Sequence, residues 1–142
     1  HSCPTRRSSE LDAFKCILRE REQVTATAFI ADQTPSPGRA WWTTFLHQAT
    51  PVFLGTETIA RKLDRPVLYL GIDRPRRGHY VMRFEELVAD PANTPEGAIT
   101  ELHTRRLEED IRRRPSIWLW THRRWKHRPP ENFPASIHAG QR

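Results

Sequence analysis

The hydrophobic positions of the chain fall into short groups, each with the spacing of one helix or one strand. Residues 12–22 place their apolar side chains three and four apart, which predicts a helix. Residues 24–31 (VTATAFIA) are rich in β-branched side chains and have the length of a strand. The proline- and glycine-containing stretch 34–39 is typical of a loop. The aromatic-rich stretch 41–46 favours neither class, so its structure stays open.

A short helix and a strand are predicted in the middle of the chain. Thr56 is placed to cap a helix that runs to about Asp64. Pro66 then precedes a strand over residues 67–72. Because a helix connects this strand to the one at 24–31, the two strands are expected to be parallel, with a right-handed crossover.

A hairpin and a long helix complete the pattern. Residues 73–78 (DRPRRG) are predicted to form a turn, and apolar and polar residues alternate in a returning strand over 80–85. Thr94 followed by Pro95 has the N-cap and first-turn arrangement of a helix, which ends before Pro115. Strands that alternate with helices predict an α/β fold, with a mixed sheet flanked by helices.

The composition fits one packed domain and argues against a chain embedded in a membrane. The 142 residues are 37% hydrophobic, which is enough for a core at this length. The mean hydropathy is low, at -0.73, and no window approaches the roughly 18 consecutive apolar residues of a spanning helix. Any membrane contact is therefore expected to be peripheral, or made by a segment outside this chain.

The charge balance predicts an anionic partner. A net charge of +6 and a pI of about 10.1 suit nucleic acid, an anionic membrane or a phosphorylated ligand, and composition does not choose among them. The hairpin turn with Arg74, Arg76 and Arg77 is a basic tip that either touches lipid head groups or is simply solvated. Cys3 and Cys16 lie too near one end to suggest a disulfide framework, and no Cys/His spacing resembles a zinc site.

The two ends of the chain are expected to lie outside the folded domain. Residues 1–11 resemble the conceptual translation of a DNA-sequencing adapter, with Cys3 and Glu10 as the departures; a native basic terminus is the alternative. The tail 127–142 is rich in proline and polar residues and is predicted to be disordered. The domain is therefore assigned to residues 12–126.

The most distinctive chemistry lies in residues 115–126 (PSIWLWTHRRWK), which we call the signature segment. Indole rings favour a membrane interface, and arginine binds phosphate through two parallel hydrogen bonds, so the segment suits an anionic amphiphile. Bases stacked on tryptophan, with phosphates bound to arginine, would suit single-stranded nucleic acid as well. The third interpretation is that Trp118 and Trp120 are core residues and the basic side chains are solvated.

The signature segment resembles the C-terminal signature of the late acyltransferases of lipid A biosynthesis, W-x-W-x-H-R-R-W-K after a long helix that ends at a proline. Residues 31–33 (Ala-Asp-Gln), after the predicted strand, are similar to an internal motif of that family. Residues 43–52 and 55–62 (GTETIARK) also follow its pattern, with the same order and spacing. The resemblance extends over residues 14–126.

The resemblance implies a transferase that moves a fatty acyl chain from acyl carrier protein, or acyl-CoA, to a hydroxyl of a phosphorylated glycolipid. It implies the C-terminal part of a lysophospholipid-acyltransferase-like domain, located at the cytoplasmic face of the bacterial inner membrane, with an anionic membrane surface as a further partner. No metal or organic cofactor and no nucleic acid is expected. The loop 33–38 is most similar to versions from Bacteroidetes-type bacteria.

Two other functions stay open at this point. One is a related acyltransferase that acts on a different lipid acceptor. The other is a small basic nucleic-acid-binding module built on the signature segment, which would leave the Ala-Asp-Gln motif unexplained.

Catalysis in this family uses a His-x4-Asp/Glu motif at a strand-to-helix junction, which is expected upstream of Asp32 and outside this chain. His103 and Glu108 match the spacing, but they lie in the predicted long helix, where residues five apart point about 140° away from each other. No residue of this chain is therefore assigned as catalytic. His103 is expected to be a solvated helix histidine, and the isolated chain is expected to be inactive.

The expected substrate-binding residues come from the loop, the crossover helix and the signature segment. Asp32 lies at the C-terminal end of a predicted strand, where α/β sheets bind ligands, and Gln33 follows it; a plain turn is the alternative for Asp32. Arg61 occupies a helix position that the family also favours, although an exposed helix arginine is equally ordinary. The signature segment supplies His122, Arg123, Arg124 and Lys126.

Overall fold

The structure, a computed structural model, describes residues 17–19, 22 and 24–133. The chain divides into two compact units, residues 1–30 and residues 31–142. In the first unit, residues 17–19 are helical, as predicted, and most of the predicted helix 12–22 lies outside the described residues. The predicted adapter-derived segment and the end of the tail, residues 1–11 and 134–142, also lie outside them.

Helices and strands alternate in the second unit, which confirms the α/β fold class. A 3-10 turn, Pro37–Arg39, precedes β1 (Ala40–Phe45), β2 (Gln48–Phe53), α1 (Gly55–Leu63), β3 (Val67–Arg76), β4 (His79–Val88), α2 (Ala98–Arg113) and a second 3-10 turn, Pro115–Ile117. β1 pairs with β2 and β3 with β4, both antiparallel. Across the described part of the chain, no helix is long and apolar enough to cross a membrane.

The prediction of a strand over residues 24–31 is wrong. These residues have no regular hydrogen-bonded structure, and Val24 and Ile30 are exposed. A β-branched run becomes a strand where a neighbouring strand supplies ladder hydrogen bonds, and none of the described strands pairs with these residues. The expected parallel pair with residues 67–72 is therefore wrong as well, and the described strands form two antiparallel sheets.

The aromatic stretch 41–46, which the sequence left open, belongs largely to β1. It is joined to β2 by a two-residue turn at Leu46 and His47, whose φ angles are 49° and 65°. This is the backbone of a type I′ turn, which matches the twist of the strands but normally takes asparagine or glycine. Here a contact from outside supports the turn, because the backbone N–H of Leu46 donates to the carboxylate of Glu108.

The β3–β4 hairpin confirms the two strands predicted at 67–72 and 80–85 and extends both of them. Each strand is 10 residues long, so the predicted turn over 73–78 shrinks to Arg77 and Gly78. Gly78 has a φ of 79°, a conformation that favours glycine.

The short helix after β2 is confirmed as α1, but Thr56 does not cap it. The N-cap residue is Leu54, which has no capping side chain, and the buried Thr56 hydroxyl makes no hydrogen bond to a residue that the structure describes. The hydroxyl of Thr58 donates to the carbonyl of Leu54 at 3.1 Å instead. The helix ends at Leu63, close to the predicted end, and its C-cap residue, Asp64, has the left-handed backbone conformation.

α2 begins later than predicted, and a carboxylate from α1 takes the place of a cap. Its N-cap is Gly97, without a capping side chain of its own, whereas the hydroxyl of Thr94 donates to the carbonyl of Asp90. Glu57 is 1% exposed and accepts hydrogen bonds from the backbone N–H groups of Gly97 and Thr100 and from the Thr100 hydroxyl. A carboxylate here satisfies otherwise unpaired N–H groups at the positive end of the helix dipole.

One side of α2 holds the β1–β2 hairpin through polar contacts. The indole N–H of Trp41 donates to Glu101 at 2.8 Å. Arg105 donates to the carbonyl of Thr44 and is also paired with Glu108, whose carboxylate supports the β1–β2 turn. The helix therefore fixes both the strand and the turn of this hairpin.

Another side of α2 holds the β3–β4 hairpin around Asp110. Its carboxylate accepts hydrogen bonds from the hydroxyl of Tyr69 at 3.0 Å and from Arg106 at 2.7 Å. Desolvation acts to raise the pKa of Asp110, but the hydrogen bonds from Arg106 and Tyr69 hold it below its ordinary value. Arg113 links the same carboxylate to Asp73 of β3, at 3.0 and 3.2 Å.

The apolar core is small beside these polar contacts. Ala60, Val67 and Ile99 form its buried centre, with Leu87 and Val88 packed against it. The hydrogen bonds of α2 to both hairpins therefore add to this small cluster in placing them.

We predict that Glu57→Gln lowers the free energy of unfolding by about 2 kcal/mol, because a neutral amide replaces charge-assisted hydrogen bonds to the start of α2. Chemical denaturation measures the change. The matched control is Glu96→Gln, which removes an exposed carboxylate near the start of the same helix and should change stability by less than about 0.5 kcal/mol. Equal effects of the two substitutions would contradict the assignment of Glu57 as the cap.

Candidate functional site

The loop that carries Asp32 and the signature segment lie in contact, although 88 to 90 residues separate them in sequence. The hydroxyl of Thr34 donates to the carbonyl oxygen of Arg124 at 2.9 Å and lies 3.3 Å from Nε2 of His122. A guanidinium N–H of Arg124 lies 3.4 Å from the same hydroxyl. We call Asp32, Thr34, His122 and Arg124 the loop–signature cluster.

Thr34 was not among the predicted site residues. The signal that could have found it is its position directly after the Ala-Asp-Gln motif. A threonine before a proline is typical of a loop, so the sequence alone does not show that Thr34 links two distant segments.

Arg124 is the buried member of the cluster, with 3% of its surface exposed. Its guanidinium donates to the carbonyl of Pro51 in β2 at 2.8 Å and lies 5.9 Å from the ring centre of Phe45. Burial lowers the pKa of Arg124 to about 10, against the opposing effect of the Asp32 carboxylate. The side chain is therefore still a cation at neutral pH, and it fixes the signature segment to β2.

Two polar atoms of the cluster have no hydrogen-bond partner among the described residues. They are Oδ1 of Asp32 and the Nε–H of Arg124, and both are buried. Leaving such groups unpaired costs free energy, so native proteins seldom do so without a functional reason. One is an acceptor and the other a donor, and a hydroxyl group of a ligand can satisfy both, because it donates one hydrogen bond and accepts others.

Trp118 and Trp125 form the apolar support of the signature segment. Their rings pack on Phe45 with centroid distances of 5.8 and 6.4 Å, and the indole N–H of Trp125 donates to the Thr50 hydroxyl at 2.8 Å. The core interpretation therefore holds for Trp118. It does not hold for Trp120, which is 55% exposed.

The remaining predicted site residues lie in two places, some beside the cluster and one on α1. Gln33, Arg123 and Lys126 are exposed next to cluster residues in the chain. Arg61 lies on α1, and its buried Nε–H has no hydrogen-bond partner among the described residues. It lines an open cleft of about 380 Å³ together with Leu54, Glu57, Thr58, Lys62, Ala92 and Glu96. The structure thus brings Asp32, His122 and Arg124 together and places Arg61 in a cleft that these residues do not line.

His103 and Glu108 do not form a catalytic pair. The carboxylate of Glu108 is bound to the β1–β2 turn and to Arg105, whereas Nε2 of His103 is buried and has no hydrogen-bond partner within the described part of the chain. The expectation that His103 is solvated is wrong. Burial lowers the pKa of His103, although the nearby carboxylates of Glu57 and Glu101 act to raise it.

Histidine, cysteine and carboxylate side chains are the usual metal ligands in proteins. Within residues 17–19, 22 and 24–133, no group of three or more histidine, cysteine, aspartate or glutamate side chains is arranged to hold a metal ion.

The sequence model of the bacterial lipid A biosynthesis acyltransferases matches residues 6–127. The chain belongs to this family. The matched range contains both halves of the loop–signature cluster, and the α/β fold is consistent with part of such an acyltransferase domain. The match begins within residues 1–11, whose origin stays a prediction. Comparison with curated proteins and comparison with solved structures each returned no match.

We predict that the melting temperature of this acyltransferase chain falls as the pH is lowered from about 7 to about 5, and that His103→Gln weakens this dependence. A histidine whose pKa is lowered on folding takes up its proton more readily in the unfolded chain, so its contribution is present above the ordinary value of 6.5 and is lost below it. Thermal unfolding across this range measures the slope.

Leu102→Gln is the control, because it changes an exposed residue next to His103 on α2 and removes no titratable group; it should leave the slope unchanged. Equal slopes for the parent chain and His103→Gln would show that the burial of His103 has no effect on its protonation.

Proposed function

We propose that the chain is the C-terminal part of an enzyme that moves a fatty acyl chain from acyl carrier protein, or acyl-CoA, to a hydroxyl of a phosphorylated lipid A precursor. In this proposal the enzyme works in lipopolysaccharide biosynthesis at the cytoplasmic face of the inner membrane. Family membership supports acyl transfer in lipid A biosynthesis. The observation that carries the finer proposal is the loop–signature cluster, with its unpaired carboxylate oxygen and guanidinium N–H.

The cluster is proposed to bind the acceptor. Oδ1 of Asp32 accepts a hydrogen bond from a hydroxyl of the glycolipid, and the Nε–H of Arg124 donates to an oxygen of the same molecule. His122, held near the Thr34 hydroxyl, contributes a further polar group at this position. The buried guanidinium of Arg124 is already fixed by the carbonyl of Pro51, so little ordering of this side chain is needed on binding.

The exposed cations of the signature segment are proposed to bind the phosphate of the acceptor. Arg123 is exposed, and its contact with the cluster is made by its backbone carbonyl. Its guanidinium is therefore free to bind two phosphate oxygens. Lys126 adds a point charge, and Gln33 a neutral polar group. Arg61 is proposed to contact the substrate from its own cleft.

The chemistry requires a base that this chain is not proposed to supply. The base takes the proton of the acceptor hydroxyl while the hydroxyl oxygen attacks the thioester carbonyl carbon. An oxyanion forms and collapses, the C–S bond breaks, and the thiolate of the donor leaves as a thiol by taking the proton back from the base. Glu108 is bound to the β1–β2 turn and to Arg105, and Nε2 of His103 is buried without a hydrogen-bond partner among the described residues. The catalytic His-x4-Asp/Glu pair is therefore proposed to lie upstream of Asp32, outside this chain. No metal or organic cofactor takes part in this scheme.

The packing of the tryptophans disfavours the nucleic-acid module. A stacking surface for bases needs exposed rings, but Trp118 and Trp125 pack on Phe45, which leaves Trp120 as the exposed indole of the signature segment. The acyltransferase for a different lipid acceptor is the alternative that the acceptor assay below separates.

We predict that the gene product containing this chain and the upstream motif transfers a labelled acyl group from acyl carrier protein to a lipid A precursor. The isolated 142-residue chain should turn over at least about 100-fold more slowly, because it lacks the general base. Transfer is measured as label in the extracted glycolipid.

The two alternatives give different results in the same assay. Turnover by the isolated chain that His103→Ala abolishes would place the base on α2 and contradict the proposal. Transfer to a lysophospholipid, but not to the lipid A precursor, would identify the other acceptor class.

A further inference from the structure

The face of the β3–β4 hairpin that points away from α2 is apolar and exposed. The cross-strand pairs Leu70–Phe84 and Ile72–Met82 lie on it, with exposures that range from 41% for Leu70 to 68% for Phe84. We call it the hairpin face, and its members are Leu68, Leu70, Ile72, Tyr80, Met82 and Phe84.

The polar face of the same hairpin is fixed against α2. Tyr69 donates to Asp110, and Arg83 is paired with both Asp73 and Asp110. Antiparallel sheets normally turn their apolar face to the core and their polar face to water. This hairpin does the reverse, because its polar side is tied to the charged surface of α2.

The tip of the hairpin is cationic. Arg74, Arg76 and Arg77 are exposed there. The carboxylate of Asp73, which precedes the tip in the chain, is bound by Arg83 and Arg113. The charge of the tip arginines is therefore left for an external anion.

We propose that the hairpin face docks on the surface of an anionic lipid bilayer, with its apolar side chains in the interface and the tip arginines on lipid phosphates. Exposed aromatic and aliphatic side chains beside arginine are the composition of segments that lie in a bilayer interface. The inference deepens the proposed function and rests on it, since a transferase acting on a glycolipid must meet the membrane that contains it.

Charge distinguishes a bilayer from a second copy of the chain as the occupant. Each chain carries a net charge of +6, so self-association through this face would bring like charges together. An anionic bilayer supplies both phosphates for the tip and an apolar region for the hairpin face, and basic residues near such a surface each contribute about 1 kcal/mol.

Co-sedimentation of the 142-residue chain with phosphatidylcholine vesicles, and with vesicles that also contain phosphatidylglycerol, tests the proposal. We expect tighter binding to the anionic vesicles. The face variant, Met82→Glu with Phe84→Glu, should abolish binding. The tip variant, Arg74→Gln with Arg76→Gln and Arg77→Gln, should weaken binding on the order of 100-fold.

Matched controls separate the hairpin from general charge and apolarity. Leu102→Glu changes an apolar residue of α2 that is 45% exposed and should retain vesicle binding. The second control removes the same charge elsewhere, at exposed Arg39, Arg112 and Arg128, each changed to Gln. It should weaken binding less than the tip variant, because these three arginines lie outside the β3–β4 hairpin.

Three results would overturn the proposal. The first is vesicle binding that neither the face variant nor the tip variant changes. The second is equal weakening of binding by the tip variant and by its charge control. The third is a chain that does not bind vesicles but forms a dimer, which the face variant dissociates. The tip variant alters only exposed side chains near a turn, so it tests the proposal even if the face variant fails to fold. Vesicle binding needs neither acyl donor nor acceptor, so its loss and the loss of acyl transfer are separate results.

Discussion

The buried carboxylate of Glu57 at the start of α2 is the interaction on which the placement of the other elements depends. It satisfies the backbone N–H groups of Gly97 and Thr100 in a helix that has no cap of its own. Charge-assisted hydrogen bonds of this kind contribute roughly 1.5 to 3 kcal/mol each. The apolar cluster around Ala60, Val67 and Ile99 is small. The hydrogen bonds of Glu57 are therefore a main contact between α1 and α2.

The position of α2 in turn decides the position of the candidate site. Glu108 on α2 supports the β1–β2 turn, and β1 supplies Phe45, on which the signature segment packs. β2 supplies the carbonyl of Pro51 that binds Arg124. Arg124 then meets Thr34 and so holds the loop that carries Asp32. A continuous series of contacts therefore runs from the cap of one helix to the proposed acceptor site.

Elements with a local signal could be predicted from the sequence, whereas those that depend on distant partners could not. The β3–β4 hairpin and both helices have their own periodicity and turn residues. The run at 24–31 has the composition of a strand but no described strand to pair with. The predictions that Thr56 and Thr94 cap the two helices are also wrong. For α2, the carboxylate of Glu57, which lies on another helix, accepts the hydrogen bonds that a capping side chain would accept.

The candidate site could be predicted in part. The resemblance pointed to Asp32, His122 and Arg124, which the structure brings together with Thr34. It did not show that Arg124 is buried and Arg123 exposed, because adjacent residues of an irregular segment carry no periodic signal for burial. The exposed hairpin face was missed for the same reason, since alternation along a strand does not say which face meets the helix.

The central claim is that the loop and the signature segment form one site for a phosphorylated acceptor, with Arg124 holding the site and Arg123 facing the ligand. Acceptor kinetics and melting temperature of the longer gene product, measured on Arg123→Ala and Arg124→Ala, test it most directly. The account predicts that Arg123→Ala raises the KM for the acceptor roughly 10- to 100-fold at an unchanged melting temperature, with partial rescue by Arg123→Lys. Arg124→Ala should lower the melting temperature as well. A parental KM for Arg123→Ala would contradict the account.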